Sequence, residues 1–122
     1  MGKTVLIIDD SPSMREMIAF ILKRAGYTII QSGDGQEALA KLGGERVALI
    51  ITDLNMPVMD GMTFIKEARA NPHLKFTPIL ILTTESQEEK KQQGKAAGAT
   101  GWIVKPFNPQ QLLATISKVL PS

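Results

Sequence analysis

The chain has 122 residues, 43% of them hydrophobic, with a formal net charge of +2 and no cysteine. That length suits one domain with one core, and the lack of cysteine excludes disulfides and thiolate chemistry and is compatible with a reducing cytoplasm, the expected location. No apolar run approaches the ~20 residues that span a bilayer, no signal-peptide pattern opens the chain, and the six aromatic residues (one Trp, one Tyr, four Phe) are scattered with no basic stripe, so neither a membrane nor a nucleic acid is an expected partner.

Strand-like and helix-like runs alternate five times, the pattern of a parallel sheet with crossover helices. Val5-Leu6-Ile7-Ile8 reads as a short buried strand that ends at Asp9-Asp10. After Ser11-Pro12-Ser13, the residues Met14, Met17, Ile18, Ile21, Leu22 and Ala25 recur at helical spacing. Ser13 with Glu16 reads as a capping box, Pro12 suits the approach to a helix start, and Gly26 ends the helix in a left-handed conformation. Tyr27 to Gln31 is a weaker strand, expected at or near an edge. Asp34 caps a helix running to Leu42, with Ala38, Leu39 and Leu42 facing inward, and Gly43-Gly44 breaks it.

Val47 to Ile51 is nearly all aliphatic, as in a strand buried on both faces of a parallel sheet. The run stops at Asp53, and a turn carries on through Leu54-Asn55-Met56-Pro57-Val58-Met59-Asp60. Gly61 starts the next helix, with Phe64, Ile65 and Ala68 as its apolar face, and Asn71-Pro72 stops it. His73, the only histidine, falls in the following loop and is expected to be exposed and without a role. Pro78 to Leu82 is the fourth strand and ends at Thr83-Thr84. Ser86 and Glu89 read as a second capping box, opening a polar helix that Gly98 ends. Gly94 inside it costs up to ~1 kcal/mol against Ala, so this helix is expected to be the least stable. Its lysines 90, 91 and 95 lie beside Glu88 and Glu89, the composition of a solvated face. Trp102-Ile103-Val104 is the fifth strand and ends at Lys105-Pro106. Asn108, Pro109 and Gln111 supply a cap, a first-turn proline and a box partner. Leu112, Leu113, Ile116, Val119 and Leu120 form the inner face of the last helix, and Pro121-Ser122 closes the chain. No linker or repeat interrupts it, so residues 1–122 are expected to form one domain.

Four strands thus end in polar groups: Asp9-Asp10, Asp53, Thr83-Thr84 and Lys105. A parallel sheet puts all these ends on one rim, where α/β folds bind their ligands. Taken singly, each has a bland reading: Asp9 and Asp10 capping a helix, Asp53 starting a turn, Thr83 capping one, Lys105 pairing with a carboxylate. Together they converge. Three carboxylates cannot share a small site as free anions without raised pKa values or a cation. Oxygen-only ligands in small number favour Mg²⁺. A carboxylate beside Mg²⁺ is a phosphoryl acceptor, with an ammonium and a hydroxyl to hold the arriving oxygens.

Through Asp9-Asp10, Asp53-Leu54-Asn55-Met56-Pro57 with Asp60-Gly61, Thr83, and Lys105-Pro106-Phe107, the chain resembles the response regulator receiver family over essentially its whole length, and most of all its stand-alone chemotaxis members. The resemblance implies the doubly wound α/β (βα)5 flavodoxin-like fold, a parallel five-stranded sheet of order 2-1-3-4-5. It implies that Asp53 accepts a phosphoryl group from a histidine kinase. It implies Mg²⁺ on Asp10, Asp53 and the carbonyl of Asn55, with Asp9 acting largely through water, and Lys105 and Thr83 on the phosphoryl oxygens. It implies a cis Lys105-Pro106 bond. It also implies a switch, in which Thr83 moves toward the phosphoryl group and Trp102, where the family more often has Tyr or Phe, turns inward. The surface of the fourth helix, fifth strand and fifth helix would then bind an output protein, such as a flagellar motor switch protein. Thr84 stands where the family mostly has Ala or Gly, and Asn55 and Glu85 stand where it tunes self-hydrolysis. A monomer without an output domain is expected. Other readings of the same residues are a receiver in another pathway, a relay intermediate or phosphate sink, a receiver clipped from a larger regulator, and a small Mg²⁺-dependent phosphohydrolase.

Overall fold

The computed structural model describes residues 3–42 and 46–120. Its elements are β1 (Thr4–Ile8), α1 (Pro12–Arg24), β2 (Thr28–Ser32), α2 (Gly35–Leu42), β3 (Leu49–Thr52), α3 (Gly61–Ala70), β4 (Ile79–Thr83), α4 (Glu88–Ala97), β5 (Gly101–Val104) and α5 (Pro109–Val119). The five strands form one parallel sheet in the order β2-β1-β3-β4-β5. This is the expected fold, with the weak second strand on an edge.

Side chains alternate across a strand, so each central strand feeds two cores. Leu6, Ile8, Ile50 and Ile81 pack with Ala38 of α2 and Phe64, Ile65 and Ala68 of α3. Val5, Ile7, Leu49, Ile51, Leu80 and Leu82 pack with Ile18 and Leu22 of α1 and Leu112 and Ile116 of α5. Each fully buried aliphatic contributes roughly 1.5–3 kcal/mol, which is why β1, β3 and β4 read as unbroken apolar runs. His73 is exposed, as are Lys90 and Lys95 of α4.

The helix starts separate what local pattern can specify from what it cannot. At α1 the cap is Ser11, whose hydroxyl accepts from the Met14 N–H, with Pro12 in the first turn. Ser13 and Glu16 do not form the expected box; the Glu16 carboxylate instead accepts from the Gln31 amide. Pro12 explains the shift: its preset φ and missing N–H suit the first helical position, which makes the residue before it the cap. The expected box at Ser86 and Glu89 is not formed either. The N-cap of α4 is Gln87, without a side-chain bond, and the Gln87 N–H is taken by the Glu85 side chain. Asp34 and Asn108 cap α2 and α5 as expected. Gly26 and Gly98 adopt the left-handed conformation at φ +100° and +118°. The expected break at Gly43-Gly44 and the closing Pro121-Ser122 lie outside the described residues.

Two glycines are required by close approach. A Cβ on Gly61 would collide with the Asp53 carbonyl, so the start of α3 presses against the backbone of that aspartate. A Cβ on Gly94 would lie 2.8 Å from Cζ3 of Trp102 and 3.0 Å from Cδ1 of Ile81. Gly94 is thus a notch that lets α4 settle onto the indole, whatever it costs the helix in propensity.

Candidate functional site

The carboxyl ends of β1, β3 and β5 bring Asp9, Asp10, Asp53 and Lys105 together. Carboxylate oxygens of the three aspartates lie within 4.8 Å of one another. Asp9 and Asp53 are buried, while Asp10 is exposed. The Lys105 ammonium sits in a fork, 2.8 Å from Oδ2 of Asp9 and 2.9 Å from Oδ2 of Asp53. It reaches there from a backbone turned by the cis Lys105-Pro106 bond. The remaining oxygens of the buried pair accept from main-chain N–H groups. Oδ1 of Asp9 takes Ser11 at 2.9 Å, and Oδ1 of Asp53 takes Leu54 at 2.6 Å, with the Asn55 N–H at 3.5 Å. Burial by itself lowers the pKa of the Lys105 ammonium, but hydrogen bonds to Asp9 and Asp53 and their charges outweigh it, and the pKa ends above its ordinary value.

Three carboxylates against one ammonium leave a formal charge of −2 on a rim open at Asp10. Oxygen donors, few in number and with that residual charge, fit a divalent hard cation. The buried acids already spend one oxygen each on backbone N–H groups, which orients the other toward the shared space.

The remaining candidates stand around this cluster, and of them only Asn55 bonds to it, through its backbone N–H to Asp53. Asn55 is exposed in the turn after Asp53. Thr83 is fully buried, and its hydroxyl accepts from the Glu85 N–H at 3.3 Å, the turn-capping role that its position allowed. Trp102 is half-buried against α4, and its indole N–H donates to the Glu85 carbonyl at 3.0 Å. Glu85 therefore joins Thr83 to Trp102 through its own backbone. Thr84 is exposed beside them.

Three features of the rim were not anticipated from the sequence. Asp60 caps α3 by accepting from the Thr63 N–H. Val58 has φ +68°, with Met59 N–H donating back to the Pro57 carbonyl at 2.7 Å, a tight turn that a β-branched residue rarely adopts. Arg15 donates to the Asp9 carbonyl at 2.6 Å. The available signal for Arg15 was a cation placed one turn into the helix that follows an acidic pair.

The response regulator receiver domain family matches residues 5–117. This chain belongs to that family. The receiver fold is matched by the chemotaxis protein CheY4 of Vibrio cholerae at a TM-score of 0.94 and 54% identity, covering 98% of this chain and 100% of that one. The receiver domain of a sensor histidine kinase from Pseudomonas aeruginosa, solved with a magnesium ion coordinated in its active-site cleft, matches at a TM-score of 0.91 and 26% identity over the whole of both chains. Among curated relatives, the phosphate regulon transcriptional regulatory protein PhoB of Pseudomonas aeruginosa is 36% identical over 119 residues. That match covers 98% of this receiver but 52% of PhoB, so the chain spans about half the length of that relative. No helix among the described residues is long and apolar enough to cross a membrane.

Proposed function

We propose that this receiver is a phosphorylation-switched signalling module of the chemotaxis type, working in the cytoplasm as one domain, with Asp53 as phosphoryl acceptor and a histidine kinase as donor. The observation that carries the reading is the fork in which Lys105 bridges Asp9 and Asp53 beside Asp10. The Asp53 carboxylate forms a P–O bond as the P–N bond to the donor imidazole breaks, and the electron pair leaves with that nitrogen. Lys105 follows the charge from carboxylate to phosphoryl oxygen. Asp10, Asp53 and the Asn55 carbonyl would hold Mg²⁺, with Asp9 beside them. When bound, the ion supplies neutralisation of the phosphoryl charge. A magnesium ion in the cleft of the kinase receiver supports this assignment.

Thr83 is the relay. Its hydroxyl accepts from the Glu85 N–H and keeps its own O–H to donate to a phosphoryl oxygen, so a movement of Thr83 toward that oxygen would pull on Glu85. Glu85 also holds Trp102, so the change reaches the α4–β5–α5 surface. A groove of about 360 Å³ lies there between α4 and β5, lined by Lys91, Lys95 and Trp102 among others. A flagellar motor switch protein or another output protein would bind on this face. The match to CheY4 favours chemotaxis. The match to PhoB supports the second reading, a receiver serving another pathway.

The test is exposure to acetyl phosphate with Mg²⁺, followed by intact mass and Trp102 fluorescence. Wild type gains one phosphoryl mass, Asp53→Asn gains none, and the fluorescence changes with the mass. Labelling of Asp53→Asn, or no labelling of either protein, overturns the reading.

A further inference from the structure

Asp9 is held at four points. Its N–H donates to the Ser32 carbonyl at 3.1 Å. Its two carboxylate oxygens accept from Ser11 and Lys105. Its carbonyl accepts from Nη1 of Arg15 at 2.6 Å. Asp10 differs: it is exposed, and its side chain has no hydrogen bond or ion pair among the described residues. Its carboxylate is aimed at the other two only by the backbone that carries it. The peptide entering Asp10 is the one whose oxygen Arg15 grips. Arg15 is braced in turn, with Nε donating to Oε1 of Gln31 at 3.3 Å and the Gln31 amide donating to Glu16 at 3.0 Å. The edge strand β2 and the first turns of α1 thus hold a guanidinium against the β1–α1 turn.

We propose that Arg15 is a positioning residue for the divalent-cation site: by holding the Asp9 carbonyl it fixes the direction in which Asp10 presents its carboxylate. The proposal rests on the reading of Asp9, Asp10 and Asp53 as that site. Charge and position make opposite predictions here. A guanidinium beside the acidic cluster repels a divalent cation, so losing its charge alone tightens binding. Losing its grip weakens binding, because Asp10 must then be ordered by the ion itself. Removing groups that orient metal ligands from outside commonly costs tenfold or more in affinity, so position outweighs charge.

The test is a calorimetric Mg²⁺ titration of the full chain, with thermal unfolding in the absence of Mg²⁺ recorded alongside. Arg15→Met weakens Mg²⁺ binding roughly tenfold although it removes a repelling charge. Arg15→Lys, which keeps both the charge and a donor, recovers most of the loss. In an Asp10→Asn background, Arg15→Met changes affinity by less than about twofold, because the residue it acts through is gone. Unchanged or tighter binding by Arg15→Met overturns the proposal, and so does an equal loss in the Asp10→Asn background. If Arg15→Met does not fold, Gln31→Leu removes the brace instead. A loss of about twofold to threefold is then expected, and unchanged binding overturns the proposal. If wild type takes up no Mg²⁺, the cation-site reading falls and this proposal with it. Mg²⁺ uptake by wild type with no change on losing Arg15 overturns this proposal alone.

Discussion

Lys105 and Arg69 are both half-buried cations, and they sit at opposite ends of the sheet. Lys105, at the carboxyl ends of the strands, is held by two carboxylates. Arg69, in the last turn of α3, is held by carbonyls. Its Nε and Nη2 donate to Gly98 at 3.0 and 2.8 Å, and Nη1 is shared among Leu74, Lys75 and Thr77 at 2.9, 3.1 and 2.7 Å. Burial lowers the Arg69 pKa, with no carboxylate to reverse it, whereas the carboxylates carry the Lys105 pKa above its ordinary value. The base of the sheet thus pins the ends of α3 and α4 with neutral dipoles that nothing in solution competes for. The rim gathers like charges and holds them with one ammonium. Val58 adds backbone strain to the rim. Neutral dipoles thus hold a cation at one end of the strands, and opposed charges hold one at the other.

The sharpest way to break this contrast is Arg69→Met. It leaves four carbonyls short of a donor, so a loss of about 3 kcal/mol is expected in urea unfolding. Mg²⁺ affinity should stay within about twofold, since the rim is not touched. A weakened rim would show that the two ends are not independent.

Lys105→Met should cost about 2 kcal/mol without Mg²⁺, because three carboxylates then face one another without a cation. Mg²⁺ should recover that loss, giving a larger Mg²⁺-dependent shift of the unfolding midpoint than in wild type. The pH dependence follows from the raised pKa. The charge is retained at and below the ordinary lysine value of 10.5, so its stabilisation is complete there and is lost as pH climbs through the higher folded-state value. On the alkaline side, the gap between wild type and Lys105→Met should therefore persist up to about 10.5 and narrow above it. A gap that closes near pH 7 would contradict the fork.

The smallest effect is expected from Val58→Gly. Relief of the left-handed strain outweighs the extra chain entropy of glycine, for a gain of about 1 kcal/mol. A gain there, against a loss at Arg69, would place the stored strain at the rim directly.

Much of this was legible in the sequence, for reasons that differ by residue. Val5 to Ile8, Leu49 to Ile51 and Ile79 to Leu82 read as buried strands because both faces of a parallel sheet are covered. Asp9, Asp10, Asp53 and Lys105 were legible as one site because parallel strands deliver their carboxyl ends to one rim. The caps at Ser13 and Ser86 were misplaced because several polar residues in a row offer the same local chemistry. At α1 the choice fell to Pro12, and before α4 to a turn in which Thr83 and Glu85 take the free N–H groups. Gly94 read as a weakness because propensity is local, and the indole that fills its notch comes from β5.

The order of apolar runs, glycines and strand-end carboxylates determined the fold and the membership of the site, since periodicity and parallel topology follow from local pattern and chirality. Only the tertiary structure decided who touches whom within that site. The fork at Lys105, the grip of Arg15 on Asp9, the bond of Trp102 to Glu85, and the carbonyl cage of Arg69 all join residues from different segments of the chain. Their distances depend on how helices pack on the sheet to within an ångström, and no local run of residues encodes that.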